Sequence, residues 1–415
     1  ASDQGLPWAR WELCDILLND KTDKGYREVI KEVFSNNDTK EYSINQSLTT
    51  SKKIINKYML RTVNGIFDYA WHINDYNLLK QLLSVDKINL NDKNNARVSK
   101  IYFDGVMAPK SLNKSYKLLS YSITGEMAQA SDYDNLPVNK FFKELPKSVG
   151  PLRLLQQNLI SLMEELIEIC SINGIKYWAV GGTLIGSVRH QGFIPWDDDI
   201  DIGILRNDIK RLQKIIKDDY PHLTLSEEYW IYGGPHHVYN ISYQGYESIF
   251  RIDIFIFDLC NIENTSWSEM IKSRKQLCMD VKGYLSMKEF NPRIHRIMDQ
   301  DVINDIDKMI QKNNPDFIRE SGEKGIIWAI DNMSLPEGKK RLFDYSSIFP
   351  TKQMPFESIM VDVPKDYELF LKLGFGNYYT LPSDIFDHRH NSLSSNNVQK
   401  LLDLRSILDS ELDRT

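Results

Sequence analysis

The sequence predicts an α/β protein of the α+β kind: a small mixed sheet with flanking helices, preceded by a mainly helical N-terminal region. Three observations carry that expectation. Leu155, Leu159, Leu162, Met163, Leu166 and Cys170 recur at three- and four-residue spacing, the period of an amphipathic helix. Short runs rich in β-formers follow, at 175–180, 200–204, 238–243 and 250–257. Helical periods return between and after these runs, so the order is helix, strand, helix, strand, helix, two strands, then helices.

Taken in order, the 415 residues are enough for two or three domains. Helices are expected at 52–60 and 69–85, the second carrying a stripe of Leu78, Leu79, Leu82 and Leu83. A polar stretch at 89–95 reads as a connector. Residues 130–151, with three prolines, a glycine and many polar side chains, are the best boundary, which divides the chain into 1–150, 151–391 and a C-terminal helix at 392–415. The helix through Cys170 should stop near Asn173-Gly174. The strand at 175–180 runs into Gly181-Gly182-Thr183, where a helix through Val188 can start. After the strand at 200–204 comes a helix with Ile209, Leu212, Ile215 and Ile216 on one face. Helices with a mixed-charge surface occupy 266–320.

Composition narrows the function. A net charge of −6 argues against a general nucleic-acid binder, which needs a basic face. No apolar run approaches the roughly 18 residues of a membrane span, and no basic segment followed by an apolar core marks a signal peptide. Cys14, Cys170, Cys260 and Cys278 are scattered and form no CxxC or Cys/His pattern, so they read as reduced thiols without zinc.

The chemistry concentrates at 177–203. Asp197, Asp198, Asp199 and Asp201 would repel one another strongly unless neutralised. Alternate residues of a strand share a face about 6.5–7 Å apart, so Asp199 and Asp201 can lean toward one ion, with Asp197 on the same parity. Such hard oxygen ligands suit Mg²⁺ or Mn²⁺. A third acid should come from a neighbouring strand, and Asp253, central among β-formers, is preferred to Asp258 at the strand's end with opposite parity. Gly181 and Gly182 free backbone N–H groups to meet a phosphate, Thr183 adds a hydroxyl, and Arg189 supplies a clamp. An EF-hand fails because Ile202 stands where the loop glycine is required.

Tyr177 to Gly203 resembles the signature of the LicD/fukutin-related family: an aromatic strand, a Gly-Gly-Thr-Leu-Ile-Gly turn with a following Arg, then Gly-Phe-Ile-Pro-Trp-Asp-Asp-Asp-Ile-Asp. The likeness continues through 251–255, at Phe349-Pro350, at 363–367 and 374–382, and closes on His388 and His390. It covers about 153–391. The resemblance implies a nucleotidyltransferase-like fold and the transfer of a phospho-alcohol, such as phosphocholine, from a CDP-activated donor to a glycan hydroxyl with release of CMP. It implies that Asp199, Asp201 and Asp253 are catalytic and hold one or two Mg²⁺ (or Mn²⁺). Gly181, Gly182, Thr183, Arg189, Asp197, His388 and His390 would bind substrate, and Asp253 would take the hydroxyl proton. Tyr229, Trp230 and Tyr232 offer an aromatic box for a quaternary ammonium.

A decayed glycan-binding scaffold and a transferase leaving NMP on its acceptor are the competing readings. The aromatic-bearing helices of 1–150 suggest acceptor or partner binding. The expected setting is the cytoplasm at the inner membrane face, with a CDP-alcohol and a glycan as partners, no nucleic acid and no transmembrane segment.

Overall fold

The computed structural model describes residues 64–412, except 73, 75, 85–89, 127, 129–131, 232–234, 261–266, 289–295, 314–324, 329–330, 333–341, 384 and 386–392. The helix expected at 52–60, Cys14, Tyr232, His388 and His390 lie outside the described residues. The chain forms two compact units, one of residues 1–137 with 381–386 and one of 138–380 with 387–415.

The first unit is helical where described. The stretch 69–85 departs from the single expected helix: helical turns at 64–72 give way to Asn74 at φ 57, and the helix resumes as Tyr76–Ser84. Asparagine tolerates the left-handed region better than most residues, so the chain turns there. Leu78, Leu79 and Leu82 are buried with Ile66 and Phe67. The expected connector at 89–95 instead starts a helix, Asp92–Asp104, because the Asn91 side chain accepts from Asn94 N–H and caps it. Leu112–Thr124 follows, with Ser111 at its start and left-handed Gly125 at its end.

The second unit is a mixed sheet flanked by helices. Its strands are β1 (Tyr177–Ala179), β2 (Ile200–Leu205), β3 (Leu223–Ile231), β4 (Pro235–Tyr243), β5 (Ile252–Cys260), β6 (Arg296–Ile297), β7 (Gly325–Trp328) and β8 (Leu342–Asp344). The order is β1-β2-β5-β4-β3-β6, with β7 added to β5 and β8 to β7. β2 and β5 run parallel, and the remaining pairs are antiparallel. β9 (Lys352–Phe356) and β10 (Ile359–Val363) make a separate hairpin.

The helix Gly150–Ile172 buries Leu155, Leu159, Leu162, Met163, Leu166 and Cys170, and ends at Asn173 with Gly174 in the left-handed region. It packs against β5, β10 and the helix Ser395–Leu412. The helix Arg206–Asp219 turns Ile209, Leu212 and Ile216 inward. Sequence periodicity does not reveal β3, because adjacent Glu227 and Glu228 interrupt its apolar pattern. Each acid is satisfied on its own face of the sheet. Glu228 accepts from Arg296, Asn240 and Trp230, and Glu227 from Tyr239, with His237 Nε2 2.8 Å away.

Candidate metal centre

The acid cluster is assembled by three segments. β1 is wholly buried and is followed by Val180, whose N–H donates to the Asp201 carbonyl at 3.1 Å. The helix Gly181–His190 starts immediately afterwards. Gly181 has φ +53, and a Cβ there would lie 2.1 Å from Asp201 Oδ2. A Cβ on Gly182 would lie 2.5 Å from Asp197 Oδ2. Glycine is therefore required twice, because carboxylates fill the space a side chain would take.

The same turn orients Asp201. Gly182 N–H donates to its Oδ2 at 3.0 Å, and Asp201 N–H donates to Thr183 Oγ1 at 2.7 Å. The expected phosphate cradle is thus redirected: in this structure the Gly182 N–H and the Thr183 oxygen address Asp201. Arg189 is redirected too. It sits in the helix's last turn, 5% exposed, and Nη1 donates to the carbonyls of Tyr378 (2.6 Å) and Thr380 (3.2 Å). Its Nε donates to His190 Nε2 at 2.9 Å, and its guanidinium lies 4.3 Å from the Phe142 ring centre. These contacts anchor the 378–380 segment rather than a group at the helix N-terminus.

β2 begins only at Ile200, so Asp197 and Asp199 reach the site from a loop and strand parity governs Asp201 alone. That loop is held from several sides. Gln156 Nε2, on the long helix, donates to the Asp197 carbonyl at 2.8 Å, and Asp197 N–H donates to the Ile194 carbonyl at 2.9 Å. At the loop's start, Gln191 (φ 59) faces Glu357 (φ 57), whose N–H donates to the Gln191 carbonyl at 2.9 Å. The Glu357 carboxylate pairs with Lys147 and Arg153 and leaves no room for a Cβ on Gly192, 2.6 Å from its Oε1.

The remaining acid comes from β5. Asp201 and Asp253 are direct partners across the parallel pair, and Asn240 of β4 is the partner of Asp253 on its other side. One oxygen from each of Asp199, Asp201 and Asp253 lies within 4.8 Å of the other two, and Asp197, Asp198 and Asp199 meet the same test. Asp258 leaves this face: it is buried and bonds Arg206 through both oxygens, at 2.6 and 3.0 Å.

The electrostatics follow from that crowding. Burial, then Asp199 and Asp253, push the Asp201 carboxyl well above the carboxylate range, only partly offset by Gly182 N–H. Asp197 is raised well above it by burial and by Asp199, Asp201 and Asp198. Asp253 is pushed up to about 7 by burial, with Arg251 opposing and Asp199 adding. Converging hard oxygens that are hard to ionise together fit a divalent cation, which would favour their charged form.

The aromatic box is not formed as expected. Tyr229 is fully buried, stacked on His237 with ring centres 4.4 Å apart, and its hydroxyl donates to Asp307 at 3.1 Å. Strand alternation puts Trp230 on the opposite face, with Asp253 and Asn240. Gln156, Glu357 and Arg251 were not singled out from sequence. The sequence signals for Arg251 are its place two residues before Asp253 and its position at the start of the 251–255 stretch that carries the family likeness.

Comparison with known proteins agrees with this location. Residues 174–291 match the family described as LicD/FKTN/FKRP, nucleotidyltransferase domain. An uncharacterized protein of Rickettsia prowazekii is 52% identical over 59 residues, 14% of this chain and 22% of the relative. The lipopolysaccharide cholinephosphotransferase LicD of Haemophilus influenzae is 38% identical over 77 residues, 18% of this chain and 29% of the relative. The human ribitol 5-phosphate transferase FKRP is 36% identical over 50 residues, 12% of this chain and 10% of the relative. The chain spans less than a third of the length of these curated relatives. The glycine turn, the aspartate loop and the β5 acid all lie inside the stretch, residues 174–291, that matches the LicD/FKTN/FKRP nucleotidyltransferase domain.

Proposed function

We propose that the protein transfers a phospho-alcohol from a CDP-activated donor to a sugar hydroxyl of a glycan, releasing CMP. The observation that carries this reading is the convergence of Asp199, Asp201 and Asp253 beside a glycine turn, in a stretch related to a cholinephosphotransferase and a ribitol 5-phosphate transferase. Asp199, Asp201 and Asp253 would hold Mg²⁺ or Mn²⁺, which supplies neutralisation of the donor diphosphate.

The chain's own part is orientation. Gly182 N–H and Thr183 keep Asp201 turned toward the cluster, while Gln156 and Glu357 hold the loop that brings Asp197 and Asp199. Asp253 is the residue proposed to take the proton of the attacking hydroxyl. The histidines at 388 and 390 remain assigned to the donor phosphates by family resemblance.

For the first unit the proposal is acceptor or partner binding. A cavity of about 140 Å³ there is lined by Trp71, Tyr76, Leu79, Lys100, Asp104 and Met107. Tyr116, by contrast, is buried against Tyr133 and belongs to the packing. No described helix is long and apolar enough to cross a membrane. The proposed workplace is the cytoplasm at the membrane face where glycans are built.

The test is CMP release with Mg²⁺ from CDP-choline, CDP-ethanolamine, CDP-glycerol and CDP-ribitol in the presence of candidate glycans, with Asp201→Asn as control. Release from one donor, lost in the control, supports the reading. A product whose mass increases by a nucleotide would sink phospho-alcohol transfer in favour of nucleotidyl transfer. Silence with no donor binding would favour the scaffold.

A further inference from the structure

We infer that Arg251, not Arg189, is the guanidinium that grips a phosphate of the donor diphosphate at the acid cluster. The inference rests on the proposed function for the identity of the donor. It rests on geometry for the residue.

Arg251 immediately precedes β5 and lies two residues from Asp253, on the same face. Its Nε donates to Asp253 Oδ1 at 3.0 Å, and its guanidinium lies 5.6 Å from the centre of the Trp230 ring. No partner for Nη1 or Nη2 is found among the described residues. An arginine serving only to neutralise a carboxylate does so best through two parallel N–H bonds. Asp258 and Arg206 show that arrangement in this molecule. Arg251 makes one bond side-on and keeps its outer donors unspent.

Neighbouring groups leave Arg251 available. Glu228, buried on the same face, is already matched by Arg296, Asn240 and Trp230. Arg189 is held by the carbonyls of Tyr378 and Thr380. Arg251 is 17% exposed, steadied by Asp253 on one edge and by the indole beneath its plane. A planar fork held at the edge of a cation site is the geometry that recognises phosphate oxygens.

The test uses the full chain and two probes, inorganic pyrophosphate and CDP, titrated calorimetrically with saturating Mn²⁺ into wild type, Arg251→Met and Arg251→Lys. Mn²⁺ affinity alone is read by electron paramagnetic resonance, and the thermal midpoint reports folding. The expected result is a loss of at least tenfold in pyrophosphate and CDP affinity in Arg251→Met, partial recovery in Arg251→Lys, and Mn²⁺ affinity that is unchanged or tighter. Pyrophosphate affinity within twofold of wild type, with only Mn²⁺ binding altered, would reduce Arg251 to a counter-charge for Asp253 and overturn the inference. Wild type binding pyrophosphate but not CDP would overturn the cytidine donor and leave Arg251 judged by pyrophosphate. Binding of neither probe by wild type overturns both.

Discussion

Gly181 and Asp201 are fitted to one another: a methyl group on Gly181 would lie 2.1 Å from Asp201 Oδ2, and the next residue's N–H donates to that same oxygen. Gly181 also sits at φ +53, where an L side chain costs roughly 1–2 kcal/mol. Gly181→Ala should therefore displace the carboxylate and weaken Mn²⁺ binding by more than tenfold, with the protein still folded. Mn²⁺ titration beside a thermal melt checks it. Unchanged affinity would show that Asp201 is not a ligand.

Cation binding should be proton-linked. Asp253 has its carboxyl raised to about 7 and Asp201 is raised well above its usual range, so ionising them to bind a cation releases protons. Mn²⁺ affinity should rise about tenfold per pH unit for each proton displaced, between pH 5.5 and 6.5. A flat profile across that interval would exclude Asp253 from the ligand set.

The same shifts govern stability without metal. For a carboxyl raised in the folded state, the unfolded chain loses its proton first, so it binds fewer protons between the ordinary aspartate range and about pH 7. Stability of the metal-free protein should fall as pH rises through that window, and saturating Mn²⁺ should reverse the fall. Urea melts at pH 5, 6 and 7.5 with and without Mn²⁺ read this directly. A metal-free protein growing steadily more stable across the window would contradict it.

Glu357 should act at a distance. Its side chain is 5% exposed, pairs with Lys147 and Arg153, and packs on Gly192 at the start of the aspartate loop. Glu357→Ala should lower the unfolding free energy by about 1–3 kcal/mol and also loosen Mn²⁺ binding, and Glu357→Gln should fall between. Normal Mn²⁺ affinity in a destabilised Glu357→Ala protein would separate this hub from the site.

The opposite face of the sheet supplies a contrasting case. Arg206 joins Asp258 and Asp331, and His237 reaches Asp331 at 2.9 Å and Glu227 at 2.8 Å. Asp258→Ala leaves Arg206 with Asp331 alone and should destabilise the protein by less than the about 3–5 kcal/mol of a fully broken buried pair, while Mn²⁺ affinity per folded molecule stays within about twofold. Chemical denaturation and Mn²⁺ titration of one sample decide. A large loss of affinity would mean that the two faces are coupled.

By itself the sequence determined what depends on near neighbours. The stripe from Leu155 to Cys170 is helical because apolar side chains repeat at the helical period. The chain breaks at Gly181-Gly182, and the aspartates crowd at 197–201 whatever the rest does. β3 is not legible because its paired glutamates are satisfied from outside the strand, Glu228 by the distant Arg296 and Glu227 by His237 of the next strand. Asp253 is expected from the sequence as the third acid, but tertiary structure alone fixed its register opposite Asp201, placed Glu357 under Gly192, and gave Arg189 and Arg251 different partners. The physical reason is that periodicity is a property of adjacent residues. What a charged side chain does depends on which distant carbonyls and carboxylates folding brings within about 3 Å of it.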